Sequence, residues 1–163
     1  MRWALGVVAL AVALPQPSAC LLRRSDVGRA FTGRGAPLGA HGYEVVFTRQ
    51  TGSLQDGPLA VQSSATVYRS ASAAHSAFVS RHRLPVGYVP LQLGFSVGQE
   101  ARQWVRQGEA GVGTVLQYML RWREHEVDAS IVITGRVGVV SAADVAPLAR
   151  HQDARIRAAL RRR

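Results

Sequence analysis

The chain has 163 residues, 47% of them apolar, which suits one globular domain and is too short for two. All 20 basic residues are Arg, the chain contains no Lys or Asn, and 10 acidic residues leave a formal charge of +10. This excess of positive charge favours polyanionic partners, although a solvated Arg-rich surface with no dedicated partner is the simpler interpretation.

The first 20 residues have the layout of a signal segment. Arg2 supplies a positive charge, and residues 4–14 form an apolar run without charges. That run is only about half of the ~20 residues that a membrane-crossing helix needs. Pro15 and Pro17 end any helix there, and Ala19 is a small residue of the kind found before a cleavage site. The segment therefore predicts export.

Cys20 is the only cysteine of the chain and directly follows this segment. The four residues Pro17-Ser18-Ala19-Cys20 resemble the lipobox of bacterial lipoproteins, with Pro17 standing where that family has an aliphatic residue. The resemblance implies cleavage before Cys20, a lipid on its thiol, and a membrane-anchored protein on the extracytoplasmic face. Secretion in soluble form and an uncleaved N-terminal anchor stay open as alternatives. A lipid-modified Cys20 leaves the mature domain without a thiol for disulfides, nucleophilic catalysis or metal binding.

The composition along the chain predicts three parts. Residues 1–19 are the signal peptide, residues 20–42 a Gly- and Arg-containing tether to the lipid, and residues 43–163 a single domain.

The first half of that domain predicts a hairpin followed by helices. Residues 43–49 and 59–68 are rich in β-branched and aromatic residues and flank a segment dense in turn formers. A helix is predicted from Ser70 or Ser72 to about residue 83. The spacing of Ser96 and Gln99 fits a capping box that begins a short amphipathic helix.

The second half predicts a second hairpin and a C-terminal helix. Residues 114–123 and 127–135 alternate apolar and polar side chains, which is typical of strands with one face in a core. Ser141 and Asp144 predict either a capping box or an N-cap at Asp144. If Asp144 is the cap, Pro147 falls in the first turn, and the helix is predicted to end near Leu160. The expected fold class is α+β, with an antiparallel sheet built from hairpins and helices packed on one face. This layout loosely resembles small exported α+β domains of unassigned function, and that likeness carries over no functional residues.

One catalytic motif is present. Gly94-Phe95-Ser96-Val97-Gly98 is G-x-S-x-G and resembles the nucleophile elbow of the α/β-hydrolase family. That resemblance implies a triad of Ser96 with Asp144, or Asp128 in its place, and His151. The hairpins and the short chain favour the other interpretation, in which Ser96 caps a helix.

The histidines suggest no strong metal site. His75 and His82 lie seven residues apart without a carboxylate at ligand spacing, and His125 lies between Glu124 and Glu126 in a predicted turn. The latter three groups are either a weak cation site or, more simply, a solvated turn. Without a metal-ligand pattern or a nucleotide-binding motif, the sequence predicts neither metal nor cofactor.

The large aromatic residues of the domain are Trp104, Trp122 and Tyr118. They indicate either core packing or a ligand groove flanked by Arg; Arg121 and Arg123 fall on the face opposite Trp122.

Taken together, these patterns favour a non-enzymatic, lipid-anchored binding or structural domain of the bacterial cell envelope. Its expected partners are the membrane, anionic lipid or cell-wall polymer, and an envelope protein, with no nucleic acid. The alternative is a small secreted serine hydrolase that uses Ser96.

Overall fold

The computed structural model describes residues 13–53, 55–80 and 86–162, and its main feature is one antiparallel sheet. The seven strands are β1 (Phe31–Leu38), β2 (Gly42–Arg49), β3 (Ala60–Val67), β4 (Val89–Leu91), β5 (Glu100–Ala110), β6 (Gly113–Glu124) and β7 (Val127–Arg136). The helices of the described residues are α1 (Arg24–Val27), α2 (Ala71–Ser80) and α3 (Val145–Leu160), with short 3₁₀ turns at Pro17–Cys20 and Ala142–Asp144. The strand order is β1-β2-β3-β7-β6-β5-β4, and every neighbouring pair is antiparallel.

The predicted α+β class is confirmed, and so are both predicted hairpins, which form β2–β3 and β6–β7. Helix α2 begins where the sequence predicts, because the Ser70 hydroxyl accepts a hydrogen bond of 3.1 Å from the Ala73 N–H. Its predicted continuation toward residue 83 lies outside the described residues. Helix α3 begins directly after Asp144 and has Pro147 in its first turn, as predicted.

The prediction that the helices pack on one face is wrong. In β6, Trp122 and Arg121 point to opposite sides of the sheet because they are consecutive residues of a strand. The Trp122 indole N–H donates to Asp153 of α3, whereas Arg121 donates to the Ala77 carbonyl of α2. The two sides of the sheet are therefore the α3 face and the α2 face, each named for the helix that covers it.

The α3 face holds the hydrophobic core. Side chains of β2, β3, β6 and β7 alternate into it, and the apolar side of α3 closes it. The fully or almost fully buried residues include Phe47, Val61, Leu120, Trp122, Ile131, Ile133, Val145, Ala149 and Ile156. This alternation is the period-2 pattern of the sequence, because each strand buries every second side chain.

Residues 20–42, predicted as a tether, belong to the folded domain instead. Cys20, Leu21 and Leu22 are at most 4% exposed and lie in the core cluster. Residues Phe31–Leu38 form edge strand β1, whose glycines leave room for neighbouring rings: a Cβ on Gly33 would lie 2.7 Å from the Phe47 ring. The domain therefore begins well before residue 43.

The short helix predicted after Ser96 is also wrong, because residues Glu100–Ala110 form strand β5. All eleven residues pair with β6, and this register places Glu100 opposite Arg123.

Candidate ligand face of the sheet

A row of arginine and aromatic side chains occupies the α2 face of β5. Residues Arg102, Trp104 and Arg106 alternate onto this face, since the intervening residue Gln103 is buried on the other. Cross-strand neighbours share a face, so Met119 and Gln117 of β6 lie beside Trp104 and Arg106. All of these side chains on the α2 face are half-buried, which leaves part of each accessible to a ligand.

Arg106 is held in place by neutral groups. Its Nε donates to the Gln117 side-chain oxygen at 2.6 Å, and its guanidinium lies 5.0 Å from the centre of the Tyr88 ring. The Tyr88 hydroxyl donates to the same Gln117 oxygen at 3.2 Å, and the Gln117 amide donates to Thr134. Burial raises the pKa of Tyr88, although the Arg106 charge acts in the opposite direction. The phenol is therefore neutral at physiological pH and acts as a donor.

The positive charge of Arg106 has no carboxylate partner among the described residues, whose ion pairs join other groups. By contrast, Arg121 forms a two-pronged pair with Asp128, and Arg123 donates to Glu100 at 2.7 Å. A half-buried guanidinium fixed by an amide and a ring is a preformed anion-binding group, because it needs little ordering to receive a ligand.

A notch of about 390 Å³ adjoins this row at the sheet edge. It exists because β4 covers only Gln103, Trp104 and Val105 of the eleven residues of β5. Trp104 joins the notch to Arg106, which lies outside its lining. The lining residues are Pro90, Leu91, Leu93, Ala101, Arg102, Gln103 and Trp104. An apolar wall that leads past Trp104 to the Arg106 guanidinium suits a ligand that has both an apolar body and a negative charge.

Helix α2 covers the other end of this face. The Phe78 ring contacts the guanidinium groups of Arg102 and Arg121, whose central carbons lie 5.3 and 5.1 Å from the ring centre. His75 of the same helix contacts Glu100 at 2.8 Å, and the Arg123 guanidinium holds the pKa of that carboxyl below its ordinary value. These charges stabilise the docking of α2, so they are less available to a ligand than Arg106.

The three aromatic residues predicted to line one groove do not lie on the same face of the sheet. Trp122 is fully buried on the α3 face with Tyr118 beside the same core, whereas Trp104 lies on the α2 face. The sequence identified the correct residue types but could not assign Trp104 to a face, because residues 99–107 were predicted to be a short amphipathic helix. The strand alternation Arg-x-Trp-x-Arg is the signal that could have found this row.

The structure does not bring the hydrolase residues together. Ser96 is exposed in the irregular segment before β5, and within residues 86–162 no hydrogen bond joins it to Asp144 or His151. The Asp144 carboxylate accepts from the backbone and hydroxyl of Ser141, and His151 lies 3.6 Å from Asp26. A nucleophile elbow leads from a parallel strand into a helix, but this segment leads into an antiparallel strand, where Ser96 caps no helix.

The predicted turn at His125 is confirmed, but its glutamates are not solvated. Glu124 and Glu126 are each 6% exposed, and Glu124 accepts from Arg157 at 3.3 Å. His75 and His125 lie in different ion pairs, while His82 lies outside the described residues. Within residues 13–53, 55–80 and 86–162, no group of three or more His, Cys, Asp or Glu side chains is arranged to hold a metal ion.

The Cys20 thiol is buried in the core. Desolvation, reinforced by the nearby Glu126 charge, raises its pKa to about 11, so the thiol is protonated and unreactive in the folded chain. Lipid attachment at Cys20 stays a prediction, and it requires this residue to lie outside the core in the modified protein.

No helix within the described ranges is long and apolar enough to cross a membrane. No protein-family model, curated protein or solved structure matches the chain.

Proposed function

We propose that the protein is an exported, membrane-attached binding domain of the bacterial cell envelope, and that the α2 face binds an anionic ligand with an apolar body. The observation that carries this proposal is the half-buried Arg106 guanidinium, fixed by Gln117 and Tyr88 without a carboxylate among the described residues. The export part rests on the signal-like residues 1–20.

Charge and shape support the same ligand class. An anion on Arg106 gains charge-assisted hydrogen bonds in a partly desolvated place, where they are stronger than on an open surface. The Trp104 ring and the apolar wall of the notch would then cover the body of the ligand. Small-molecule sites commonly combine one charged contact with an apolar surface in this way.

A titration of the purified full chain with naphthalenesulfonate tests the proposal, because this probe joins an aromatic body to an anionic group. We expect Arg106→Gln to weaken binding by about tenfold or more, the size of a lost hydrogen bond to a charged group. Replacing Trp104 with Leu should weaken binding by about two- to tenfold, since an aromatic contact is lost.

One control variant and two control probes separate a specific site from a diffuse charge effect and charge from shape. Arg34→Gln removes the same charge from an exposed position on edge strand β1 and should leave the affinity unchanged. Methanesulfonate, which lacks the ring, and naphthylmethanol, which lacks the charge, should each bind more weakly than naphthalenesulfonate. Equal losses in Arg106→Gln and Arg34→Gln would show a diffuse charge effect and overturn the proposed site.

A further inference from the structure

A groove of about 310 Å³ lies between the N-terminal segment and the last turns of α3, far from the Arg106 row in the chain. Apolar side chains form most of its lining, including Leu14, Pro15, Ala158 and Ala159. Three arginines complete it: Arg23, Arg155 and Arg162.

Only one of these arginines is neutralised by a described carboxylate. Arg155 donates to both oxygens of Asp26 at 2.9 Å, and these bonds also tie α1 to α3. Arg23 and Arg162 are exposed, and neither forms an ion pair with a carboxylate in the described ranges. The neighbouring Arg161 is exposed as well. The groove therefore combines an apolar lining with two guanidinium groups, those of Arg23 and Arg162, that no described carboxylate neutralises.

The position of the chain supplies a second, independent observation. Ala13 lines the groove, so the apolar residues 4–12 are covalently joined to the domain there. Leu14, the last residue of the same run, is 42% exposed. An apolar segment of this composition partitions into the hydrocarbon region of a bilayer rather than into water.

A lipid on Cys20, the alternative anchor, would also attach the chain near Arg23. Leu21 and Leu22 are 4% and 3% exposed, and the Leu22 N–H donates to the buried Ser63 hydroxyl at 3.1 Å. Cleavage before Cys20 would remove the lining residues 13–19, but a lipid on Cys20, once that residue has left the core, would be attached three residues before Arg23. Either anchor would hold Arg23 close to the bilayer, and the uncleaved anchor also keeps the whole groove, with Arg162, at that end of the molecule.

We infer that this end, named here the N-terminal groove, is a membrane-contact surface whose Arg23 and Arg162 bind the headgroups of anionic lipids. The inference rests on the membrane attachment in the proposed function, but it is independent of the ligand on the α2 face. Arginines within the Debye length of an anionic bilayer each contribute measurably to binding, and that contribution is screened by salt.

Flotation of the full chain with vesicles tests this surface. Vesicles of phosphatidylcholine alone measure binding through the apolar segment, and vesicles that also contain phosphatidylglycerol add the headgroup contribution. We expect a clear preference for the anionic vesicles that shrinks as salt rises. The double variant Arg23→Gln/Arg162→Gln should reduce that preference by about fivefold for each arginine removed.

Arg34→Gln/Arg136→Gln is the matched control, because it removes the same charge elsewhere and should retain the preference. Equal losses in both double variants would overturn the inference in favour of a diffuse effect of net charge. Binding of soluble polyphosphate as tight as that of anionic vesicles, lost in Arg23→Gln/Arg162→Gln, would assign the groove to a soluble polyanion and overturn the membrane surface. Failure of the naphthalenesulfonate titration leaves these outcomes unaffected, so the two proposals fail separately.

Discussion

The two faces of the sheet use the same strands for different purposes. On the α3 face, polar groups are satisfied within the protein: the Ser63 hydroxyl donates to Gln152 and accepts from the Leu22 N–H, and the Trp122 indole donates to Asp153. On the α2 face, Trp104 is half-buried and Arg106 has no carboxylate partner in the described residues. The α3 face therefore holds the core that stabilises the fold, whereas the α2 face is the one on which we propose that a ligand binds.

The largest expected difference in stability between the two faces is the one between variants of Trp122 and Trp104. Trp122→Ala should lower the free energy of unfolding by about 3–5 kcal/mol, because it leaves a large cavity in the core. Trp104→Ala removes a half-buried ring and should cost about 1 kcal/mol. Urea unfolding of both variants measures the difference, and equal losses would show that the α2 face is also a structural core.

Ser63 and Ser64, which lie on opposite faces, should show the same difference in stability on a smaller scale. Ser63→Ala leaves the Leu22 N–H and the Gln152 side-chain oxygen without their shared partner in the interior, which should cost about 1–3 kcal/mol. Ser64 lies on the other face, where its hydroxyl is 2.7 Å from that of Ser130. Ser64→Ala should cost about 0.5–1.5 kcal/mol, the value of an ordinary hydrogen bond. A larger loss from Ser64→Ala than from Ser63→Ala would reverse the assignment of the two faces.

The smallest effect concerns pH and the ion pair that ties α1 to α3. Burial raises the pKa of Asp26, but hydrogen bonds from the Arg155 guanidinium and the Arg23 N–H outweigh it and hold the pKa below 3.8. The stabilisation is therefore fully present above the ordinary pKa and is lost as the pH falls through the lower, folded value.

Unfolding curves of wild type and Asp26→Asn, recorded from neutral pH down to the acid range, check this sign. The wild type should be the more stable at neutral pH, and the difference should shrink toward acid. A difference independent of pH would show that the Asp26 charge does not contribute.

The sequence predicts the α3 face better than the α2 face, for a physical reason. Burial of alternate side chains leaves a period-2 pattern in β6 and β7, and that local pattern suffices to predict both strands and their hairpin. The class of the fold follows from it. The buried network of Ser63 and Gln152 leaves no such pattern, because its members lie 89 residues apart.

The missed strands form through pairing with the next strand of the chain, against the preferences of their own residues. Strand β1 contains Gly33, Gly35 and Pro37, which favour turns, yet it forms because rings of β2 pack over those glycines. Strand β5 is rich in Glu, Gln, Arg and Ala, which favour helix, yet pairing of all eleven residues with β6 overrides that preference. Since β5 carries Trp104 and Arg106, the error in β5 also concealed the candidate ligand face.

The indole N–H signals of Trp104 and Trp122 in a nitrogen-15 correlation spectrum of the full chain report on ligand binding at each face of the sheet. The signals are assigned with Trp104→Phe and Trp122→Phe, which also distinguishes them from Trp3. On addition of naphthalenesulfonate, we expect a saturable shift of the Trp104 signal and no shift of the Trp122 signal, because the Trp122 indole is buried against Asp153. A shift of Trp122 with Trp104 unchanged, or no saturable shift of either signal, would contradict the division of the sheet into a stabilising face and a binding face.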